Sequence, residues 1–314
     1  MSKRQASQKN SISHIFRLFI VLSSVFLLIA CTPTSITTPT STTTPTEMPL
    51  PAATTTTPNI ISPTPTIEPT VVTPSVTPTT DCLQLGGTVE QQSFTSELSG
   101  EEFEFRVYLP ACYGAALEQT YPVIYLLHGL LFNDDQWLRL GLVDLMDELI
   151  ANQEVSPALV VLPQESLLLD PQTALFSELI VSELVPWIDD NYSTNPERTF
   201  RAIGGLSRGA GWAVQIGFDN PQLFSRIGAH SLPLFETDSA KITGWLTQIP
   251  KEDYPAVFMD IGRDDPEWQT AQAFADQLDK FQVPHQWYLF TGGHTETYWA
   301  SHLELYLRWY LQDW

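Results

Sequence analysis

Three residue types in this chain could do chemistry together: Ser207, the adjacent Asp264 and Asp265, and His294. A serine hydroxyl attacks a carbonyl carbon only when a neighbouring base takes its proton. Histidine suits that task because its ordinary pKa lies near working pH, so one ring serves as base and then as acid. A carboxylate behind the ring holds its orientation and favours its charged form. Ser207 stands at the centre of Gly205-Leu206-Ser207-Arg208-Gly209. An apolar run (Phe200, Ala202, Ile203) leads in and a helical pattern from Ala210 to Phe218 follows. Strand, sharp turn and helix with serine at the apex is the G-x-S-x-G elbow. It needs glycine at 205 and 209, where strand and helix nearly touch.

His294 follows Gly292 and Gly293, which free the backbone to present its ring. Asp264 and Asp265 are neighbours and point differently, so only one can serve; the residues alone leave both open. Asp260 lies inside an apolar run and is expected to be structural. For the oxyanion, the elbow itself supplies the N–H of Arg208. A second N–H is expected from the loop His128-Gly129-Leu130, whose histidine ring is expected to brace backbone. His230, at a strand end, either lines the pocket or is buried and hydrogen-bonded. Trp137, Trp187, Trp212, Tyr298 and Trp299 either line an aromatic acyl pocket or, as aromatics at such spacings more often do, fill the core, Trp212 and Trp299 being nearest the motifs. The segments Leu131–Asp135 and Glu165–Thr173 are expected to shape it.

The elements that must position these groups follow from hydrophobic patterning. Thr88–Thr95 and Glu102–Pro110 alternate across Ser99-Gly100 and predict an antiparallel hairpin. Short, fully apolar runs at Val123–Leu127 and Ala158–Leu162 predict buried parallel strands. Further strands are predicted at Phe224–Ser231, Pro255–Ile261 and Gln286–Phe290. Helices are predicted at Gln136–Asn152, Ala174–Asn191, Glu267–Phe281 and Tyr298–Leu311. Alternating strands and helices give right-handed crossovers and a mostly parallel sheet covered on both faces. Ligands sit beyond the carboxyl ends of such strands, where Ser207, Asp264-Asp265 and His294 all fall. The chain order Ser, Asp, His is that of the α/β-hydrolase fold.

Tyr121–Gly129 (YPVIYLLHG), Gly205–Gly209 (GLSRG), Gly262–Asp265 (GRDD) and Gly292–His294 (GGH) resemble the Putative esterase family. That group of α/β-hydrolases includes esterase D-type, feruloyl esterase and mycolyltransferase-like proteins. The likeness spans roughly residues 87 to 312, its N-terminal hairpin included. It implies a carboxylic-ester hydrolase with Ser207 as nucleophile, His294 as base and acid, and Asp265, selected by the G-x-x-D spacing, as the orienting carboxylate. It also implies Leu130 as the second oxyanion donor. No metal and no organic cofactor is implied. The same acyl-enzyme could instead pass its acyl group to a sugar or other alcohol. A rival of another class is a catalytically idle surface lipoprotein that binds glycan.

The N-terminal segment has a different character. Lys3, Arg4, Lys9 and Arg17 precede an apolar run from Phe19 to Ala30 that is short for a membrane span. Leu28-Ile29-Ala30-Cys31 resembles a bacterial lipobox, so residues 1–30 are expected to be a cleaved signal and Cys31 a lipidated anchor on the extracytoplasmic face. Residues 31–80 are almost all Thr, Pro and Ser and predict an extended tether with no packed core. Residues 81–314 form the folded domain. With Cys31 lipidated, Cys82 and Cys112 remain as an even pair in an exported protein, the condition for a disulfide. The net charge of −21 repels nucleic acid and anionic surfaces and favours an uncharged or cationic substrate.

Overall fold

The computed structural model describes residues 80–116, 118–165, 169–173 and 175–314. The expected signal segment, Cys31 and nearly all of the tether lie outside the described residues. A short helix α1 (Thr80–Gln84) opens the described chain. The hairpin follows as β1 (Thr88–Thr95) and β2 (Glu102–Leu109), paired in register from Thr88 opposite Leu109 to Thr95 opposite Glu102. Cys82 and Cys112 are bridged, with Cα atoms 5.2 Å apart, so the start of the domain is pinned just beyond the end of β2.

Six further strands complete one sheet: β3 (Val123–Leu127), β4 (Leu159–Pro163), β5 (Arg201–Leu206), β6 (Arg226–His230), β7 (Ala256–Gly262) and β8 (His285–Phe290). Their spatial order is β1-β2-β4-β3-β5-β6-β7-β8. β2 runs antiparallel to β4, and every pairing from β4 through β8 is parallel. In β3 every residue is buried. Its period of two sends Val123, Tyr125 and Leu127 to one core and Ile124 and Leu126 to the other.

The helices cover both faces. α2 (Gln136–Arg139), α3 (Leu142–Ala151) and α9 (Glu296–Leu311) pack into the second core. α4 (Leu175–Glu178), α5 (Val185–Asn191), α6 (Arg208–Asp219), α7 (Glu236–Gln248) and α8 (Trp268–Phe281) pack into the first. Two predicted helices are interrupted. Gly141, at φ 98°, breaks Gln136–Asn152 into α2 and α3. A π-helical turn at Leu179–Leu184 joins α4 to α5. Helix α7 has no counterpart in the sequence reading. Its apolar contacts rest on Ile242, Trp245 and Leu246 within an otherwise polar run, which leaves a faint periodicity.

Candidate active site

The carboxyl edge of the sheet collects the reactive side chains. β5 ends at Leu206, and Ser207 takes φ 53° and ψ −124° before α6 begins. Its N–H donates to the carbonyl of His230 at 2.9 Å, which fixes the turn against β6. A Cβ on Gly205 would lie 2.3 Å from the Gly209 carbonyl carbon, and one on Gly209 would lie 2.4 Å from the Leu127 oxygen. Both elbow glycines are therefore sterically required, as the motif demands.

His294, in the loop after β8, faces Ser207, with Nε2 2.7 Å from Oγ. Its Nδ1 lies 2.7 Å from Oδ2 of Asp265, in the loop after β7. With Nδ1–H donating to the carboxylate, Nε2 is left to accept the serine proton. Asp265 is buried and is the aspartate that meets the His294 ring, while its neighbour Asp264 is exposed. Burial alone would raise the Asp265 pKa. Hydrogen bonds from His294, the Glu267 N–H and Ser231, together with the nearby imidazole, outweigh it and hold the carboxyl below its ordinary range. The carboxylate thus remains ionised when the ring needs it.

Two walls flank Ser207 where the sequence leads one to expect the oxyanion donors. Arg208 opens α6, and the N–H groups of Arg208 and Leu130 have no acceptor among the described residues. Gly129 N–H is spent on Gln136 Oε1 at 2.8 Å. His128 braces backbone as expected: its Nδ1 is 2.8 Å from the Gly129 carbonyl and its Nε2 accepts the Glu165 N–H at 2.9 Å. Burial lowers the His128 pKa, which keeps the ring neutral in that acceptor role. Glu165 itself went unread as a functional side chain in the sequence. It lies two residues beyond β4 and takes the Arg208 guanidinium on both carboxylate oxygens, at 2.8 and 2.5 Å. An acid in a loop beside apolar residues carries no local signal for such a pairing.

A groove of about 370 Å³ opens over Ser207 and His294, walled by Leu130, Pro233, Phe235 and Pro266. None of the five aromatics that could line an acyl pocket walls this groove. Trp212 is fully buried between Phe176 and Phe235, and Trp137 donates to the Leu127 carbonyl beneath the loop. Trp187 packs on the hairpin against Phe94 and Phe105, and Tyr298 donates to Asp260. Trp299 supports the site from behind, its indole N–H donating to Ser231 and its ring edge-on to His294 at 5.1 Å. Leu131 and Phe132 are exposed on the loop beyond Leu130, and of that loop only Leu130 walls the groove. A larger depression of about 600 Å³ lies near Ser156 and Trp314, away from these groups.

His230 is buried rather than pocket-lining. Its Nδ1 is 2.7 Å from Asp260 and its Nε2 2.9 Å from the Tyr310 hydroxyl. Asp260 is structural as expected, also accepting from the hydroxyls of Tyr298 and Tyr306.

Residues 96–310 match the family model described as Putative esterase. The chain belongs to this esterase family. Among curated relatives, an endo-1,4-beta-xylanase/feruloyl esterase of Xylanibacter ruminicola is 33% identical over 154 residues, covering 45% of this chain and 21% of that protein. The chain thus spans about a fifth of that relative's length. A solved ferulic acid esterase is 25% identical with a TM-score of 0.66, covering 73% of this chain and 100% of its own. An S-formylglutathione hydrolase of Staphylococcus aureus shares the fold at 16% identity, with a TM-score of 0.59 and coverage of 72% and 98%. The esterase family and the α/β-hydrolase fold of the chain agree with the mostly parallel sheet and its N-terminal antiparallel hairpin.

Proposed function

We propose that this esterase-family chain is a serine carboxylic-ester hydrolase working through an acyl-enzyme on Ser207. The observation that carries the reading is the unbroken relay Ser207 Oγ–His294 Nε2 and His294 Nδ1–Asp265, each 2.7 Å, at a groove open to solvent. In the first half-reaction the Ser207 oxygen bonds to the ester carbonyl carbon while its proton passes to His294 Nε2. The negative charge on the former carbonyl oxygen is met by the N–H groups of Leu130 and Arg208. Collapse breaks the carbon–alkoxy bond, and Nε2 returns its proton to the departing alcohol. A water molecule, deprotonated by the same nitrogen, then attacks the acyl carbon, the bond from that carbon to Ser207 Oγ breaks, and Nε2 returns the proton to Oγ as the acid leaves.

His294 is 30% exposed, which gives water a route to the acyl carbon and favours hydrolysis over transfer to another alcohol. The relay also argues against an idle glycan-binding role, which needs none of its three members. The apolar walls Leu130, Pro233 and Phe235 suit an uncharged acyl group. Together with the feruloyl esterases among its relatives, they support an aromatic acyl ester as substrate. Residues 1–30 as signal, lipid on Cys31 and residues 31–80 as tether would hold the domain on the extracytoplasmic face. Mass spectrometry of the membrane fraction tests that: a lipidated N-terminal Cys31 supports it, and an intact Met1 overturns it. For the chemistry, the purified protein should hydrolyse aryl esters and favour aromatic over long aliphatic acyl groups. Failure on every carboxylic ester tried would remove the reading.

A further inference from the structure

We infer that Glu165 is a positioning residue that sets the separation of the two oxyanion donors, an inference that rests on the hydrolase reading of the same site. The two donors sit on walls of unequal stiffness. Arg208 begins a helix whose residues from Gly209 to Phe218 are all buried, and the preceding strand is wholly buried too. Leu130 lies on an exposed loop: it is 48% exposed, Leu131 is 81% exposed, and Leu131 takes a left-handed backbone at φ 65°. The loop's base is anchored, with Gly209 of α6 packed on the Leu127 and His128 carbonyls and the Gly129 N–H on Gln136, whereas Leu130 itself stands exposed beyond those anchors.

Glu165 bridges the two. Its carboxylate accepts two hydrogen bonds from the Arg208 guanidinium, and its backbone N–H donates to His128 Nε2. His128 in turn bonds the carbonyl of Gly129, the residue before Leu130. The tie therefore runs from the elbow through one side chain and one peptide group to the soft wall. Its carboxylate is nearly enclosed, and the Arg208 guanidinium also donates to the Leu169 carbonyl and lies over the rings of Trp212 and Phe235. A bidentate carboxylate–guanidinium pair fixes direction as well as distance. Misplacing a donor by about 1 Å can cost on the order of 100-fold in rate.

The test is Glu165→Gln, which keeps the backbone N–H to His128 but removes the charge and one acceptor. Expected are a fall in kcat of about 10- to 100-fold, a KM within about twofold of wild type, and an equal fall in affinity for an aryl trifluoromethyl ketone, whose hemiketal oxyanion needs both donors. Arg208→Lys, which keeps the charge but loses the fork, should fall between the two and serves if the glutamine variant does not fold. An unchanged kcat in both variants, a loss expressed in KM, or unaltered ketone affinity would overturn the assignment. Ser207→Ala run alongside separates the two levels: an inactive serine variant with a fully active Glu165→Gln removes only the positioning role. Full activity in Ser207→Ala removes the hydrolase reading and this inference with it.

Discussion

Two aspartate–histidine pairs of equal length lie side by side in this protein. Asp265–His294 and Asp260–His230 both place Nδ1 2.7 Å from a carboxylate oxygen, and both aspartates come from β7 or the loop after it. What faces the other ring nitrogen separates them. In the first it is the Ser207 hydroxyl at a groove, and in the second it is the Tyr310 hydroxyl with every partner fully buried. Tyr298, Tyr306 and Tyr310 have pKa values raised by burial first and by Asp260 second, so their hydroxyls stay protonated as donors. The His230 ring also stacks on Tyr306 at 3.7 Å. An aspartate–histidine contact is therefore no mark of catalysis by itself. Access at Nε2, and a nucleophile there, make the difference. Ser231 joins the two regions, its N–H donating to the Asp260 carbonyl while its hydroxyl supports Asp265.

Substitutions that hit one pair and spare the other sharpen this contrast. Ser207→Ala should lower kcat by about 10⁴-fold or more with no change in melting temperature, since it removes the nucleophile and leaves every core contact. Asp265→Asn should cost about 10³- to 10⁴-fold in kcat by allowing the wrong tautomer of His294, with a small stability loss. Asp260→Asn should reverse that pattern. It leaves a buried histidine and two tyrosines mismatched, so a loss of about 3–5 kcal/mol is expected in urea titration, with kcat per folded molecule within a few-fold. Equal catalytic losses in the two asparagine variants would erase the distinction.

The smallest effect is one of pH. The Asp265 carboxyl is held below its ordinary value of 3.8, so its ionised form contributes stability that is complete above pH 3.8 and lost as pH falls through the lower folded value. The gap in melting temperature between wild type and Asp265→Asn should accordingly be constant at neutral pH and close in acid below that point. A gap that widens in acid would reverse the sign.

Much of the fold was legible because buried parallel strands such as β3 and β4 are written as continuous apolar runs, and glycines mark the turns. The members of the relay were legible for a related reason. Each follows a strand at a glycine-bearing turn, and strand ends are where a parallel sheet gathers ligands. The residues that read poorly depend on tertiary partners. Glu165 gains its role only when β4 ends beside α6, and Trp212 lies near the elbow in sequence yet points into the core. Helix α7 packs through a few apolar side chains, too sparse for a periodic signal. The break at Gly141 was foreshadowed only by a glycine, a residue that isolated helices also tolerate at a cost.

Covalent trapping tests the central claim most directly. An aryl fluorophosphonate should form one adduct, mapped by peptide mass spectrometry to Ser207, and His294→Gln should slow its formation by several orders of magnitude. An adduct on another residue, or labelling of Ser207 at an unchanged rate without the imidazole, would contradict the account.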